Sequence, residues 1–351
     1  MKRCIVCVGF ALAACGLWAA DRVWQADGDG DWSDSANWVG GEIPGAGDAA
    51  VFANALSADA AIRVGGVSQP VGVLRLQNAT APWRRIFTGS LVADLFEQDA
   101  GDVALAGEWR SPVQAISKLG NTAGALARLE VVSGGRLILT NTASVYIGNA
   151  NNARGQLYIR EGADVRFSSP TATASGLYIG RESGSVGAVV QTGGRMEKNT
   201  AFIPGYSGYG VYELLGGEFY HPYGNSQTRY RIGMNGPGLF YQRGGVYTAS
   251  SNGSYALELA KNTAAVDAFG LFYCDGGQAD LNAEVKFLDL GNARAGSYAE
   301  MTVAGTGKLA VRTANQLTLG TVANSRGRAV VNVNRSEERR VGKEGRSRWS
   351  P

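Results

Sequence analysis

The sequence predicts an all-β protein whose strands wind into a β-solenoid. Its 351 residues include 50 glycines and 9 prolines, and only 18% are charged, which favours short strands joined by tight turns over amphipathic helices. Short stretches of alternating apolar and polar residues recur between glycine-marked turns. A strand of this kind buries one side only, and it needs neighbours above and below to do so. We therefore expect coils stacked along a single axis.

Two glycine markers define the coil. A glycine pair follows one short apolar stretch, and an isoleucine or leucine followed by glycine ends another. Successive copies of the second marker lie 25 to 32 residues apart, which suits one solenoid coil. The pairs are Gly134-Gly135, Gly193-Gly194, Gly216-Gly217, Gly244-Gly245 and Gly276-Gly277. The second markers are Ile147-Gly148, Ile179-Gly180, Ile232-Gly233, Leu290-Gly291 and Leu319-Gly320, with Ile203-Pro204-Gly205 and Leu259-Ala260 as looser copies. The side chains predicted to point inward are Leu129, Val131, Leu137, Leu139, Val145 and Ile147.

These patterns divide the chain into five segments. Residues 1–20 are predicted to be a signal peptide and residues 21–52 a tryptophan-rich N-terminal cap. Residues 53–128 carry a weaker form of the pattern and are expected to form irregular first coils, because terminal coils must protect an open strand edge. Residues 129–334 are the regular solenoid, and residues 335–351 are a tail foreign to the repeat.

The N-terminal segment has the features of an export signal. Lys2 and Arg3 precede an apolar run, and small residues follow up to Ala20. The stretch that ends at Cys15, Leu-Ala-Ala-Cys, also resembles a lipobox, after which a bacterial lipoprotein is cleaved and acylated on cysteine. A plain signal peptide and a lipid anchor at Cys15 are both compatible with the sequence. Either one predicts an exported protein, outside the cell or on the outer-membrane surface.

The C-terminal tail reads RSEERRVGKEGRSRWSP and, apart from Gly345, resembles a translated sequencing adapter. The preceding residues 329–334, AVVNVN, begin a further repeat unit, so we expect a solenoid truncated at its C-terminus that lacks any anchor or barrel. The tail carries a net charge of +3 and the first residues +2. The formal +3 of the whole chain therefore becomes −2 for residues 21–334, and the basic pI gives no support to nucleic-acid binding.

Cysteines and acidic residues give little sign of a metal or a disulfide. Three of the four cysteines precede Ala20, which leaves Cys274 alone in the body and excludes a disulfide framework or a cysteine zinc site. The aspartates of DGDGDWSD, residues 27–34, resemble a calcium loop. An EF-hand needs glycine at the sixth position and glutamate at the twelfth, where this chain has Trp32 and Trp38. We expect a solvated acidic turn, and no metal or cofactor.

The segment from residue 24 to residue 52 carries a family resemblance. Its tryptophans are followed by Gly-Gly, a proline and an aspartate, and it resembles the N-terminal module of bacterial proteins with autotransporter-associated β-strand repeats. The matching positions are Trp24, Trp32, Asp34, Asn37, Trp38, Gly40, Gly41, Pro44 and Asp48. The resemblance covers about thirty residues closely and the repeats behind them loosely. It implies a right-handed parallel β-helix, passenger-like, on a cell surface or secreted, and it implies no ligand.

Aromatic side chains supply the candidate binding residues. Trp24, Trp32 and Trp38 could stack on sugar rings, but burial beneath the first coil is the favoured interpretation, since large aromatic side chains cover an apolar end well. A cluster of tyrosines could form a stripe on one side that binds a cell-surface glycan or protein, or could fill a wider core. The residues nominated for that stripe are Tyr206, Tyr209, Tyr212, Tyr220, Tyr223, Tyr230 and Tyr241.

No catalytic motif stands out. His221 is the single histidine, predicted to be an exposed or packed loop residue, and no nucleophile elbow surrounds a serine. Pectin-degrading enzymes share the β-helix, but the polygalacturonase signatures are missing. The sequence therefore favours a non-catalytic surface protein for display, adhesion, or glycan or protein binding, with a β-helix polysaccharide lyase as the alternative. The carboxylates considered for that alternative are Asp267, Asp275, Asp280, Glu284 and Asp289.

Overall fold

The structure is a computed structural model. It describes residues 20–65, 68–77, 83–113, 115–140, 144–168, 176–222, 230–250, 256–261, 267–282, 284–287, 297–311, 317–319 and 328–333. Residues 1–19 of the predicted signal peptide, with Cys15, the tail at 335–351, and the residues Tyr223 and Asp289 lie outside these ranges. Within the described ranges, no helix has the length and apolar character needed to cross a membrane.

The chain forms parallel strands stacked into a β-solenoid, as predicted. One stack, the first face, contains twelve strands, and a joined sheet of twenty strands supplies the second and third faces. The strands of the first face are β2 (Gly30–Asp31), β4 (Ala60–Arg63), β6 (Arg84–Thr88), β8 (Gly101–Leu105), β11 (Leu126–Val131), β14 (Arg154–Ile159), β17 (Val186–Gln191), β20 (Tyr209–Leu214), β23 (Pro237–Gln242), β26 (Phe269–Cys274), β29 (Tyr298–Val303) and β32 (Arg328–Val333).

In the later coils, separate strands form the second and third faces. In the early coils, one long strand contributes to both faces. Two long strands, β5 (Gln69–Leu76) and β7 (Ser90–Gln98), run along both faces, and β7 pairs with a separate strand at each end. The second face contains β9 (Glu108–Ser111), β12 (Arg136–Thr140), β15 (Asp164–Ser168), β18 (Arg195–Lys198), β21 (Glu218–His221), β24 (Val246–Ser250), β27 (Gln278–Asn282) and β30 (Lys308–Val311). The third face contains β1 (Asp21–Val23), β3 (Ala49–Phe52), β10 (Ile116–Leu119), β13 (Ser144–Ile147), β16 (Gly176–Ile179), β19 (Ala201–Pro204), β22 (Tyr230–Ile232), β25 (Ala256–Leu259), β28 (Glu284–Phe287) and β31 (Leu317–Leu319).

The core is a set of ladders in which equivalent side chains stack from coil to coil. All six side chains predicted to point inward, from Leu129 to Ile147, are buried, so that prediction is confirmed. The central ladder of the first face is aliphatic in its earlier coils and then becomes aromatic. Its members are Leu129, Leu157, Val189, Tyr212, Phe240, Phe272 and Met301.

The N-terminal cap closes one end of the core with tryptophans. Trp24, Trp32 and Trp38 are fully buried, and their ring centroids lie 5.0 Å apart for Trp24–Trp38 and 4.9 Å apart for Trp32–Trp38. All three contact Phe52, which in turn contacts Phe87 at 5.2 Å in the next layer. The tryptophans therefore pack on the first coil, as predicted, and are not free to stack on a sugar. Two 3-10 helical turns, Ser35–Asn37 and Val39–Gly41, complete this segment.

Glycines at one corner allow successive coils to approach closely. Gly233 follows β22 with φ of +72°, and its N–H donates to the carbonyl oxygen of Pro204 in the preceding coil at 2.8 Å. A Cβ at Gly233 would overlap the carbonyl oxygen of Phe269 in the next coil. A Cβ at Gly238, the second residue of β23, would overlap the main chain of Gly233 itself. The same pairing of corner and strand glycines occurs at Gly148 with Gly155 and at Gly180 with Gly187.

We expect Gly233→Ala to lower the free energy of unfolding by about 3 kcal/mol, because alanine is strained at positive φ and its methyl group would push two coils apart. The matched control is Gly134→Ala. Gly134 has φ of +78° but nothing within 4 Å of a Cβ, so only the backbone cost of about 1 kcal/mol applies. Urea unfolding of the two variants measures the difference, and equal losses would show that coil contact at the corner is unimportant.

Candidate binding surface on the first face

The nominated tyrosines do not form one stripe. Tyr212 and Tyr230 are fully buried, so their assignment to a surface is wrong; both point inward, where their rings fill the core. Tyr220 lies on the second face with the guanidinium of Arg195 5.5 Å from its ring centroid. Tyr206 lies beside the third face, 5.0 Å from the ring of Tyr178. Of the remaining three, Tyr223 lies outside the described residues and the other two lie on the first face. Tyr209 is 56% exposed, and Tyr241 points outward from β23.

The outer side of the first face is charged in its earlier coils. Glu130 on β11 accepts a hydrogen bond from Arg160 and lies 3.1 Å from Arg84 and 3.8 Å from Arg128. Burial alone would raise the pKa of Glu130, but the Arg160 hydrogen bond and the three guanidinium charges outweigh it and lower that pKa. The ring of Tyr158, next to Glu130 in the ladder, has the guanidinium groups of Arg128 and Arg160 at 4.4 and 5.4 Å. The chain supplies every partner in this network.

Four later strands of the same face, β17, β20, β23 and β26, have an apolar outer side. Every outward position on them except Glu213 carries an apolar or aromatic side chain. We call this surface the apolar patch; it consists of Val186, Ala188, Val190, Tyr209, Val211, Pro237, Leu239, Tyr241, Phe269, Leu271 and Tyr273. A contiguous apolar surface of this kind usually marks an interaction site, because single exposed apolar side chains are common but sheets of them are not.

A groove of about 360 Å³ lies at the end of the apolar patch nearest β29. The rings of Tyr241 and Tyr273 stand 5.2 Å apart, inclined at 56°, on successive strands. On β29, the carboxylate of Glu300 and the hydroxyl of Thr302 complete the groove. The groove is lined by Leu239, Tyr241, Leu271, Phe272, Tyr273, Glu300 and Thr302. It combines apolar and aromatic walls with one carboxylate.

Glu300 is held in place by three neutral donors. The hydroxyl groups of Tyr298 and Thr302 donate to its carboxylate at 2.6 and 2.7 Å, and the amide of Asn332 donates at 2.9 Å. Hydrogen bonds from Tyr298 and Thr302 are the main reason that the pKa of Glu300 is lowered, with Asn332 and the charge of Arg328 acting in the same direction against burial. The carboxylate is therefore ionised and fixed in orientation.

Reasoning from the sequence alone missed most of this surface, although a signal was present. Strand β14, Arg-Gly-Gln-Leu-Tyr-Ile, shows the polar and apolar alternation of a strand with one wet side. The central residues of β17 (Ala-Val-Val), β23 (Gly-Leu-Phe-Tyr) and β26 (Gly-Leu-Phe-Tyr) lack that alternation. Continuous apolar runs are typical of strands covered on both sides.

The other candidate groups have structural roles. Asp27 and Asp29 accept hydrogen bonds from the backbone N–H groups of Ser57 and Ala61, both at 2.8 Å. His221 is buried at the end of strand β21, not in the predicted loop, with its Nε2 2.7 Å from the carbonyl oxygen of Thr200. Among the described residues, no group of three His, Cys, Asp or Glu side chains is arranged to hold a metal ion.

The carboxylates considered for lyase chemistry lie on separate elements. Asp267 is exposed just before β26, Asp275 follows that strand, and Asp280 lies within β27 on the second face. The side chain of Glu284 and the whole of Asp289 fall outside the described residues.

Comparison with known proteins finds no matching family model, no matching curated protein and no matching solved structure.

Burial strongly disfavours the charge of a lysine in the core. Lys198 is 1% exposed in the ladder that includes Phe167, and burial lowers its pKa to about 7. Its neighbour His221 also has a lowered pKa, mainly through burial, opposed by the Thr200 carbonyl and aided by the charge of Lys198. Between pH 7 and the ordinary lysine range, the unfolded chain binds a proton at Lys198 that the folded chain does not. Stability therefore rises with pH across that window.

We expect Lys198→Met to raise the free energy of unfolding by about 2–4 kcal/mol at pH 6, because an apolar side chain replaces a buried charge. The gain should shrink as the pH rises from 7 to 10, where the wild-type lysine is neutral in the folded protein. Urea unfolding at pH 6, 8 and 10 measures it. Lys118→Met is the control, since Lys118 is partly exposed and pairs with Glu97 at 3.0 Å. A gain independent of pH would contradict the assignment.

Proposed function

We propose that this chain is an exported, non-catalytic β-solenoid that displays its first face for adhesion or binding, with a cell-surface glycan or protein as partner. The observation that carries the proposal is the apolar patch on the outer side of four successive strands. Solvated sheet faces are ordinarily polar, so an apolar outer side next to a charged one indicates a surface that becomes covered. Export rests on the predicted signal at residues 1–20 and on the family resemblance of the tryptophan-rich segment.

The composition of the first face supports binding by a protein-like interface. Alanine, valine and leucine form the middle outward row of the apolar patch, tyrosine and phenylalanine flank it, and charged residues such as Arg154, Arg243 and Glu300 lie at its edges. Interface centres are depleted of charge and enriched in aromatic residues, with a polar rim. The stacked strands hold these side chains at fixed spacing, so little conformational entropy is lost when a partner binds.

The groove favours binding over cleavage. Hydrolysis of a glycosidic bond ordinarily uses two carboxyl groups on opposite sides of the bond. The lining residues of the groove include one carboxylate, Glu300, and it already accepts three hydrogen bonds. A carboxylate held in this way is suited to recognising a ligand.

We expect the double variant Leu239→Lys, Leu271→Lys to lose at least tenfold in affinity for the partner, because two charges replace apolar side chains at the centre of the patch. The measurement is binding of the purified chain to a glycan array, a panel of polysaccharides and immobilised surface proteins. Thr248→Lys with Ala310→Lys, two outward positions on the second face, is the matched control and should bind as the wild type does.

Cleavage of a polysaccharide by the wild-type chain, abolished by Glu300→Gln or Asp280→Asn, would contradict the proposal and favour the lyase alternative. Equal binding by the patch variant and its control would place the binding surface elsewhere.

A further inference from the structure

The first face carries the same pair of chemical groups at two places. In its earlier coils, Glu130 and Tyr158 occupy neighbouring outward positions on β11 and β14. In its later coils, Tyr241 and Tyr273 continue that same outward row, and Glu300 points outward on the next strand, β29. Each place therefore offers a carboxylate beside one or more tyrosine rings, on a flat parallel sheet.

At the earlier place, arginines of the chain itself occupy the site. Arg160 donates a hydrogen bond to Glu130, and its guanidinium lies 5.4 Å from the ring centroid of Tyr158. Arg128 lies 4.4 Å from the same ring and 3.8 Å from Glu130. A guanidinium suits such a site because it is planar and cationic: it stacks on the ring while its N–H groups bond the carboxylate.

At the later place, Glu300 lies one outward row away from the tyrosines, in the row that holds Arg128 in the earlier coils. The three donors to Glu300 are neutral groups, and no arginine or lysine nitrogen of the described residues lies within ion-pair distance of its carboxylate. Arg328 approaches Tyr298 at 5.9 Å and Arg243 approaches Tyr241 at 5.8 Å. No described arginine or lysine stacks on Tyr273. The groove of about 360 Å³ brings Tyr273 and Glu300 together, and Glu300 has no cationic partner there among the described residues.

The walls of the groove match the rest of an arginine side chain. Leu239 and Leu271 point outward on β23 and β26, next to Tyr241 and Tyr273 on the same strands. The aliphatic stem of an arginine can lie along these leucines while its charged end reaches Glu300. An uncharged sugar could use the rings and donate a hydroxyl to the carboxylate, but it would bring no positive charge, whereas a guanidinium brings a charge and a planar pair of donors.

We infer that the groove binds the guanidinium group of an arginine side chain presented by a partner polypeptide, stacked on Tyr273 and Tyr241 and hydrogen-bonded to Glu300. This inference rests on the proposed binding function and names the chemistry of the partner at that same surface. It makes the partner a protein with an exposed arginine, and it makes the leucines and tyrosines the specificity-determining walls.

The test is calorimetric titration of the purified full chain with a capped, otherwise uncharged peptide that contains a single arginine. The comparison peptide replaces that arginine with citrulline, which has nearly the same shape and no charge. We expect saturable binding of the arginine peptide, at least tenfold weaker binding of the citrulline peptide, and weaker binding at higher salt. Glu300→Gln and Tyr273→Ala should each weaken the arginine peptide about tenfold.

Glu218→Gln is the matched control, since Glu218 lies on the second face, and it should bind as the wild type does. Thermal unfolding of each variant confirms that the solenoid is intact. Equal affinity for the two peptides, no saturable binding of the arginine peptide, or an unchanged affinity in Glu300→Gln would each overturn the inference. Loss of glycan or protein binding in the Leu239→Lys, Leu271→Lys variant, together with no binding of the arginine peptide, would leave the display function standing and reject the arginine site alone.

Discussion

The close approach of main chain to main chain at the glycine corners is the constraint on which the rest of the structure depends. Parallel strands in neighbouring coils must stay about 4.8 Å apart along the whole stack. At the corner between the third and first faces, the chain turns through Gly233 and passes against Gly238 of its own coil and Phe269 of the next. Any side chain there would separate the coils, and every ladder beyond the corner would lose its register.

Regular stacking then places one side chain of each outward row in every coil. A change of residue type that is repeated over a few coils therefore produces a continuous surface of that type. On the first face, Glu130 and Tyr158 belong to a closed network with arginines. The positions four coils later in the same row are Tyr241 and Tyr273, beside an open groove. The backbone at both of these positions is the same parallel strand. A few side chains therefore decide whether this face is occupied by the chain's own arginines or presents an open groove.

The interior changes along the same axis. The central ladder passes from Leu129 and Val189 to Tyr212, Phe240 and Phe272, with Tyr212 and Phe240 stacked at 5.4 Å. Rings replace aliphatic side chains inside this part of the core, and Tyr212, Tyr230 and Tyr247 of the tyrosine-rich segment serve packing. In this region the ladder also carries a buried lysine, Lys198, whose charge burial disfavours at a cost in stability.

The sequence by itself determined the solenoid, the inward ladder from Leu129 to Ile147 and the burial of the tryptophan cap, because strand alternation and glycine spacing are local properties. It could not decide which tyrosines face outward, since a one-residue shift in strand phase reverses every side chain, and Tyr212 and Tyr230 proved to be core. Only the tertiary structure decided that Glu300 meets Tyr273 in a groove. Those residues are brought together by the register between coils, which depends on corner lengths that the local pattern leaves open.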